Sequence, residues 1–202
     1  MRLYFIRHGQ TDWNIAGRFQ SRTDVPLNET GILQARQVRD LLDNRGIGFV
    51  RISTSPLGRA RQTAEIIAKG RNAEIVIEPT FRELYVGEFE GREERALRAE
   101  LGAKYDAWRA NCFLDAAPGG ESLLDVMQRV HEPILALASA ELQNDQLVVA
   151  HQAVNAAMKA VLSGKKDPAS LKEYMQANDE IDVWDPAGGE LVERIKLSPR
   201  HG

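Results

Sequence analysis

The chain has 202 residues, 43% apolar, 27% charged and 6% aromatic, the composition of one ordinary globular domain spanning 1–202. A single cysteine, Cys112, excludes an internal disulfide framework, and apolar content this high excludes a disordered tail. Lys+Arg is 26 against Asp+Glu 29, a net charge of −3 without the basic excess of a nucleic-acid binder. No run approaches the ~20 apolar residues of a membrane span, and the opening Met1-Arg2-Leu3-Tyr4-Phe5-Ile6-Arg7 is no signal peptide. Neither nucleic acid nor membrane is expected as a partner, and a reducing, cytoplasmic compartment is expected.

In chain order, the apolar run Leu3–Ile6 predicts a first strand. Ile32, Ala35, Val38, Leu41 and Leu42 fall at helical spacing, so 29–43 predicts a helix capped by Asn28 or Thr30, with Gly46 beyond its end. Phe49–Thr54 reads as a strand, Leu57–Lys69 as a helix stopped by Gly70, and Glu74–Glu78 as a third strand ended by Pro79. Residues 90–112 are charged with helical propensity, and Pro118-Gly119-Gly120 breaks the chain. Glu121–Gln143 predicts a long helix with Pro133 inside it, where a kink is expected. Gln146–Ala150 predicts a fourth strand and Ala153–Leu162 a helix; Ile181–Trp184 and Leu191–Lys196 predict a hairpin. Strands alternating with helices imply an α/β domain with a largely parallel sheet, whose chemistry sits at the carboxyl ends of the strands.

Three predicted strand ends carry chemistry. After the first stands Arg7-His8-Gly9-Gln10-Thr11-Asp12-Trp13-Asn14. An arginine can neutralise phosphoryl charge, a neutral imidazole can attack phosphorus, and a glycine lets backbone N–H groups approach an anion. After the second stands Ser55-Pro56-Leu57-Gly58-Arg59-Ala60-Arg61, a helix start and therefore an anion site. Arg59 can turn back toward the strand end; Arg61 lies about 200° further round and faces elsewhere. After the fourth stands His151-Gln152. His131 inside the long helix and His201 near the terminus read as inert. Protonating a leaving-group oxygen requires a carboxylate, and Glu83, Glu88 and Glu90 compete for that role on spacing alone.

Five segments in order now carry a resemblance: Arg-His-Gly-x-Thr-x-Trp-Asn at 7–14, Ser-Pro-Leu-x-Arg-x-x-x-Thr-Ala at 55–64, Glu-Leu-x-x-Gly-x-x-Glu-Gly at 83–91, Pro-Gly-Gly-Glu-Ser at 118–122, and His151 after an apolar strand. Together they resemble the histidine phosphatase superfamily, the phosphoglycerate mutase-like proteins, over nearly the whole chain. The resemblance implies a three-layer α/β/α domain with a mostly parallel sheet. It implies His8 as nucleophile forming a phosphohistidine, Arg7, Arg59 and His151 around the phosphoryl oxygens, and Glu83 as proton donor. Asn14 and the Gln152 backbone N–H match further phosphate contacts, and Gln20 and Ser21 match a loop lining the substrate pocket.

Two positions depart from the family pattern. Gln152 stands where relatives often carry glycine, and is strained if that position needs a positive φ. Ser21 also stands where many relatives carry glycine.

The expected activity is hydrolysis of a small phosphorylated metabolite, with the helical segment 90–117 (Arg92, Arg95, Arg98, Arg109) as a cap that sets substrate choice. The alternatives are phosphoglycerate mutase-type phosphoryl transfer and a catalytically inactive anion-binding module. A mutase is disfavoured because the region after Trp108 carries one arginine, Arg109, where those enzymes carry a pair. No cofactor and no metal are expected, since no Cys cluster, His-x-x-x-His or carboxylate set stands at ligand spacing. Relatives are often dimeric, which adds a homodimer to the expected partners.

Overall fold

The computed structural model describes residues 1–139, 144–165 and 167–197. Its strands are β1 (Leu3–Arg7), β2 (Phe49–Thr54), β3 (Glu74–Ile77), β4 (Asp145–Ala150), β5 (Glu180–Asp185) and β6 (Glu190–Lys196). Its helices are α1 (Asp12–Ile15), α2 (Glu29–Asn44), α3 (Gly58–Ala68), α4 (Glu94–Leu101), α5 (Ala103–Asn111), α6 (Leu123–Ser139), α7 (Gln152–Ser163) and α8 (Pro168–Glu173). Among the described residues the strands form one sheet ordered β3-β2-β4-β1-β5-β6. The β3-β2, β2-β4 and β4-β1 pairs are parallel; β1-β5 and β5-β6 are antiparallel. No helix among the described residues is long and apolar enough to cross a membrane.

The period of two in β1 builds the layers. Leu3 and Phe5 face one side, packing with Val148, Trp184 and the buried faces of α6 and α7. Tyr4 and Ile6 face the other side, with Ile52, Leu147 and Val149 against α2 and α3. A third, smaller cluster (Val86, Phe89, Leu97, Tyr105, Ala117) lies under α4 and α5. The segment 90–112 therefore folds as two short helices separated at Gly102.

Local signals set the helix ends. Asn28, not Thr30, caps α2, its side chain accepting from the Gly31 N–H at 2.9 Å. α6 starts later than Glu121 because Ser122 and Asp125 cap it reciprocally: the Asp125 carboxylate accepts from the Ser122 N–H at 2.9 Å, and Ser122 Oγ from the Asp125 N–H at 3.1 Å. Pro133 lies within α6, and the expected helix end at Gln143, like His201, lies outside the described residues. Buried positions Arg59, Ala60, Thr63, Ala64 and Ile67 share one face of α3, which leaves Arg61 exposed.

One close approach fixes the loop after β1. A Cβ at Gly9 would lie 2.3 Å from the Gly31 carbonyl oxygen, and a Cβ at Gly31 would lie 2.1 Å from the Gln10 carbonyl oxygen. The start of α2 thus sits directly on the loop. Gly9 serves this contact, and its N–H donates to Thr63 Oγ1 at 3.1 Å rather than standing free for an anion. Gly31→Ala should lower unfolding free energy by about 1–3 kcal/mol, because backbone must shift to admit the methyl group. Urea denaturation of the two proteins side by side measures the difference.

Candidate active site

Strand register brings the two histidines together. Arg7 pairs with Ala150 across the parallel β1-β4 ladder, so the next residues, His8 and His151, leave the sheet side by side. Their ring centroids are 5.1 Å apart and both rings are buried. Thr54 of β2 pairs with Val149, which places Ser55 beside them; Ser55 Oγ lies 2.7 Å from His151 Nε2. The Nδ1 atom of His151 is buried without a protein partner.

Hydrogen bonding fixes the state of His8. Its Nδ1 is 2.7 Å from the Gly9 carbonyl oxygen, which can only accept, so Nδ1 carries the proton. The lone pair is then on Nε2, where Arg59 Nε donates at 3.3 Å. Burial first, then the charges of Arg59 and Arg7, push the imidazole well below its ordinary range, against the opposing pull of the Gly9 bond. His151 moves the same way, through burial and then Arg59, His8 and Arg7. Both rings are therefore neutral at pH 7.

Arg59 is 1% exposed, and its other donors reach the carbonyl oxygens of Thr23 at 2.7 Å and Ser21 at 2.8 Å. Burial lowers its pKa to about 10, and it stays charged. Arg7 donates to the Gln176 carbonyl oxygen at 3.2 Å, and burial lowers its pKa as well. Glu83 faces these cations across a cavity of about 660 Å³ that also touches Arg7, His8, Arg59 and Gln152. Its Oε1 accepts from the N–H groups of Leu84 at 2.9 Å and Val154 at 3.3 Å, and its Oε2 from Ala153 at 3.5 Å. Glu88 is exposed and Glu90 accepts from the Thr23 hydroxyl; neither lines the cavity.

The remaining expected residues also line this cavity. Asn14 Oδ1 accepts from the Thr11 N–H at 3.0 Å, closing a capping box on α1. Gln20 is 8% exposed. Gln152 is the first residue of α7 and has no positive φ, so the side chain is tolerated there; its Nε2 donates to the Gln176 carbonyl oxygen at 3.3 Å. The backbone strain lies instead at Ser21, with φ of 47°. Its hydroxyl repays that conformation with bonds, donating to the Leu84 carbonyl oxygen at 3.0 Å and accepting from the Val86 N–H at 3.1 Å.

Nothing in the residue pattern pointed to Gln176 and Asn178. Asn178 Nδ2 donates to the His8 carbonyl oxygen at 2.6 Å, and Gln176 Nε2 donates to Phe5 at 2.8 Å and to Glu180 at 2.7 Å. These residues precede β5, far along the chain, and reach β1 only because β5 pairs with it. Trp13, marked by the 7–14 segment, also lines the cavity, with Phe19, Trp108 and Met175, to which the residue pattern assigned no place in the pocket.

Two neutral buried imidazoles carry a stability consequence. Below about pH 6.5 the unfolded chain binds protons that the folded chain refuses, so stability falls as pH drops from about 7 toward 5. Each histidine contributes up to about 1.4 kcal/mol per pH unit in that window. His151→Gln should flatten the acid side of the stability–pH curve, read by thermal unfolding at several pH values.

The profile of the histidine phosphatase superfamily (branch 1) matches residues 3–195. The adenosylcobalamin/alpha-ribazole phosphatase of Escherichia coli is 36% identical over 165 residues, covering 81% of this chain and 80% of that protein. The Photorhabdus laumondii protein named "Probable phosphoglycerate mutase GpmB" is 38% identical over 156 residues, covering 75% of this chain and 69% of its own length. Among solved structures, the alpha-ribazole phosphatase from Shigella flexneri superposes with a TM-score of 0.84 at 29% identity, over 98% of this chain and 96% of the other. A mycobacterial glucosyl-3-phosphoglycerate phosphatase complexed with VO3 superposes with a TM-score of 0.81 at 27% identity, over 90% and 91%. The paired histidines at the β1 and β4 ends thus stand on a chain matched almost end to end, and it belongs to the histidine phosphatase superfamily, branch 1.

Proposed function

We propose that the chain hydrolyses phosphomonoesters of a small metabolite through a phosphohistidine on His8. The observation that carries this is the His8 tautomer: a neutral buried imidazole with Nδ1–H tied to Gly9 and its Nε2 lone pair turned to Arg59. Substrate phosphate takes over the Arg59 donor, and Nε2 attacks phosphorus as the bond to the leaving oxygen breaks. Arg7, Arg59, His151 and the Asn14 amide hold the phosphoryl oxygens as their charge redistributes. Glu83, on the opposite cavity wall, gives a proton to the leaving alcohol. It then takes one from the water that breaks the nitrogen–phosphorus bond and releases orthophosphate. Gln20, Ser21 and the Gln152 backbone complete the pocket.

The groups set around His8 are two guanidiniums, Arg7 and Arg59, and one imidazole, His151. Among the described residues no group of three or more His, Cys, Asp or Glu gathers at ligand distance. That set suits direct phosphate binding without a metal.

Hydrolysis is favoured over a phosphoryl shuttle by the charges at the cavity mouth. A mutase needs a second anion site beside the phosphoryl site. Here Arg18 pairs with Glu93 at 3.8 Å, Arg98 with Asp106 at 3.0 Å and Arg109 with Glu94 at 3.8 Å. The segment 90–117 acts as the cap over the leaving group. The cavity lining combines these paired arginines and the exposed Lys172 with Phe19 and Trp108, whose rings meet edge to face at 6.1 Å. This suits a bulky leaving group better than a small carboxylate.

The test is phosphate release from a panel that includes alpha-ribazole phosphate, glucosyl-3-phosphoglycerate, phosphoserine and 3-phosphoglycerate. The best substrate should be one of the bulkier esters. His8→Ala should lower release by at least about a thousandfold and abolish acid-labile phosphoryl labelling of the protein. Release that survives His8→Ala would overturn the assignment.

A further inference from the structure

The segment carrying Glu83 belongs to no strand. Between the short 3₁₀ turn Pro79–Phe81 and the next at Gly87–Phe89, residues 82–86 run irregularly across the cavity wall. Such a stretch does not hold a carboxylate to a fraction of an ångström by itself. One side chain outside the cavity gathers it. Arg129 of α6 donates to the carbonyl oxygens of Thr80, of Arg82 at 2.7 Å and of Glu83 itself at 3.3 Å. The planar fork of a guanidinium can serve several acceptors at once, which an ammonium cannot do with the same geometry.

Arg129 is in turn fixed. Its Nε lies 3.3 Å from Glu121 Oε1 and one terminal nitrogen 3.4 Å from Glu121 Oε2. Glu121 also accepts from the Tyr85 N–H at 3.0 Å and from Arg22 at 2.9 Å, while its own N–H donates to the Tyr85 carbonyl oxygen at 2.7 Å. Arg22 lies over the Tyr85 ring at 4.6 Å. The pair therefore grips the chain on both sides of Glu83, at 80–83 and at 85. Arg129 and Glu121 are each about one-fifth exposed, so this ion pair is shielded more than a surface bridge.

We propose that Arg129, locked by Glu121, is the positioning residue for the proton donor, setting how well the Glu83 carboxyl reaches the leaving oxygen. This rests on Glu83 being that donor. Neither side chain lines the cavity, so neither touches substrate. A small displacement of an acid costs rate in proportion to how much the leaving group needs its proton. An alkoxide departs poorly without one, whereas a nitrophenolate departs readily. Loss of Arg129 should therefore act selectively on poor leaving groups.

The experiment compares kcat/KM of the full chain for glycerol phosphate and for p-nitrophenyl phosphate. The proteins are wild type, Arg129→Ala, Arg129→Lys, Glu121→Gln and Glu83→Gln. Each ratio is taken within one protein sample, so a reduced folded fraction cancels. Arg129→Ala should lose tenfold or more on the alkyl ester and less than threefold on the aryl ester. Arg129→Lys and Glu121→Gln should fall between it and wild type, and Glu83→Gln should be at least as selective as Arg129→Ala. Equal losses on both esters, or no loss, in Arg129→Ala beside a selective Glu83→Gln would overturn the positioning role alone. An unselective Glu83→Gln would remove Glu83 as the donor and the positioning role with it.

Discussion

Positive charge held out of water, with little protein anion to balance it, is the constraint around which the site is organised. Arg59 is almost wholly buried, Arg7 lies close by, and the facing carboxylate is Glu83. In the resting protein the Arg59 donors are met by the Ser21 and Thr23 carbonyl oxygens and the His8 lone pair, whereas Arg7 bonds the Gln176 carbonyl oxygen and keeps its Nε buried without a partner. Such a site is complementary to a dianion before any arrives. Burial first, and then this charge, keeps both histidines neutral.

That constraint explains where the chain accepts strain. The Ser21 carbonyl oxygen accepts from Arg59 while its hydroxyl braces Leu84 and Val86, and the residue makes these bonds from a positive φ of 47°. A glycine would take that conformation more easily but would forfeit the hydroxyl. At Gln152 no such conflict exists, because the residue opens an ordinary helix.

Much of this was legible in the residues. The six strands and the helices α2, α3, α6 and α7 were read from the residues, whereas the short α1 and α8 were not; the strand ends pointed to His8, Arg59 and His151 because parallel sheets expose chemistry there. Arg59 and Arg61 separated on helical geometry alone, one buried and one exposed. Among Glu83, Glu88 and Glu90, spacing could not choose. The choice depends on an irregular segment whose path is set by Arg129, Glu121 and Ser21, all distant in sequence. Gln176 and Asn178 were illegible for the same reason. Their partners are backbone carbonyls, and a carbonyl leaves no mark in a sequence. Gly9 was legible as a special position, but the reason lay in Gly31, not in the anion.

The position of β1 has a consequence for how the protein comes into being. β1 spans Leu3–Arg7, yet its neighbours in the sheet, β4 and β5, begin only at Asp145 and Glu180. On the ribosome, His8 emerges with neither His151 beside it nor Asn178 bonded to its carbonyl. The sheet cannot close on both sides of β1 until residues 176–184 have left the exit tunnel, so β1 lacks its β5 partner while the intervening elements emerge. Long-range pairing of this kind is slow to form. It also means that an incomplete chain carries His8 without the neighbours that enclose its ring.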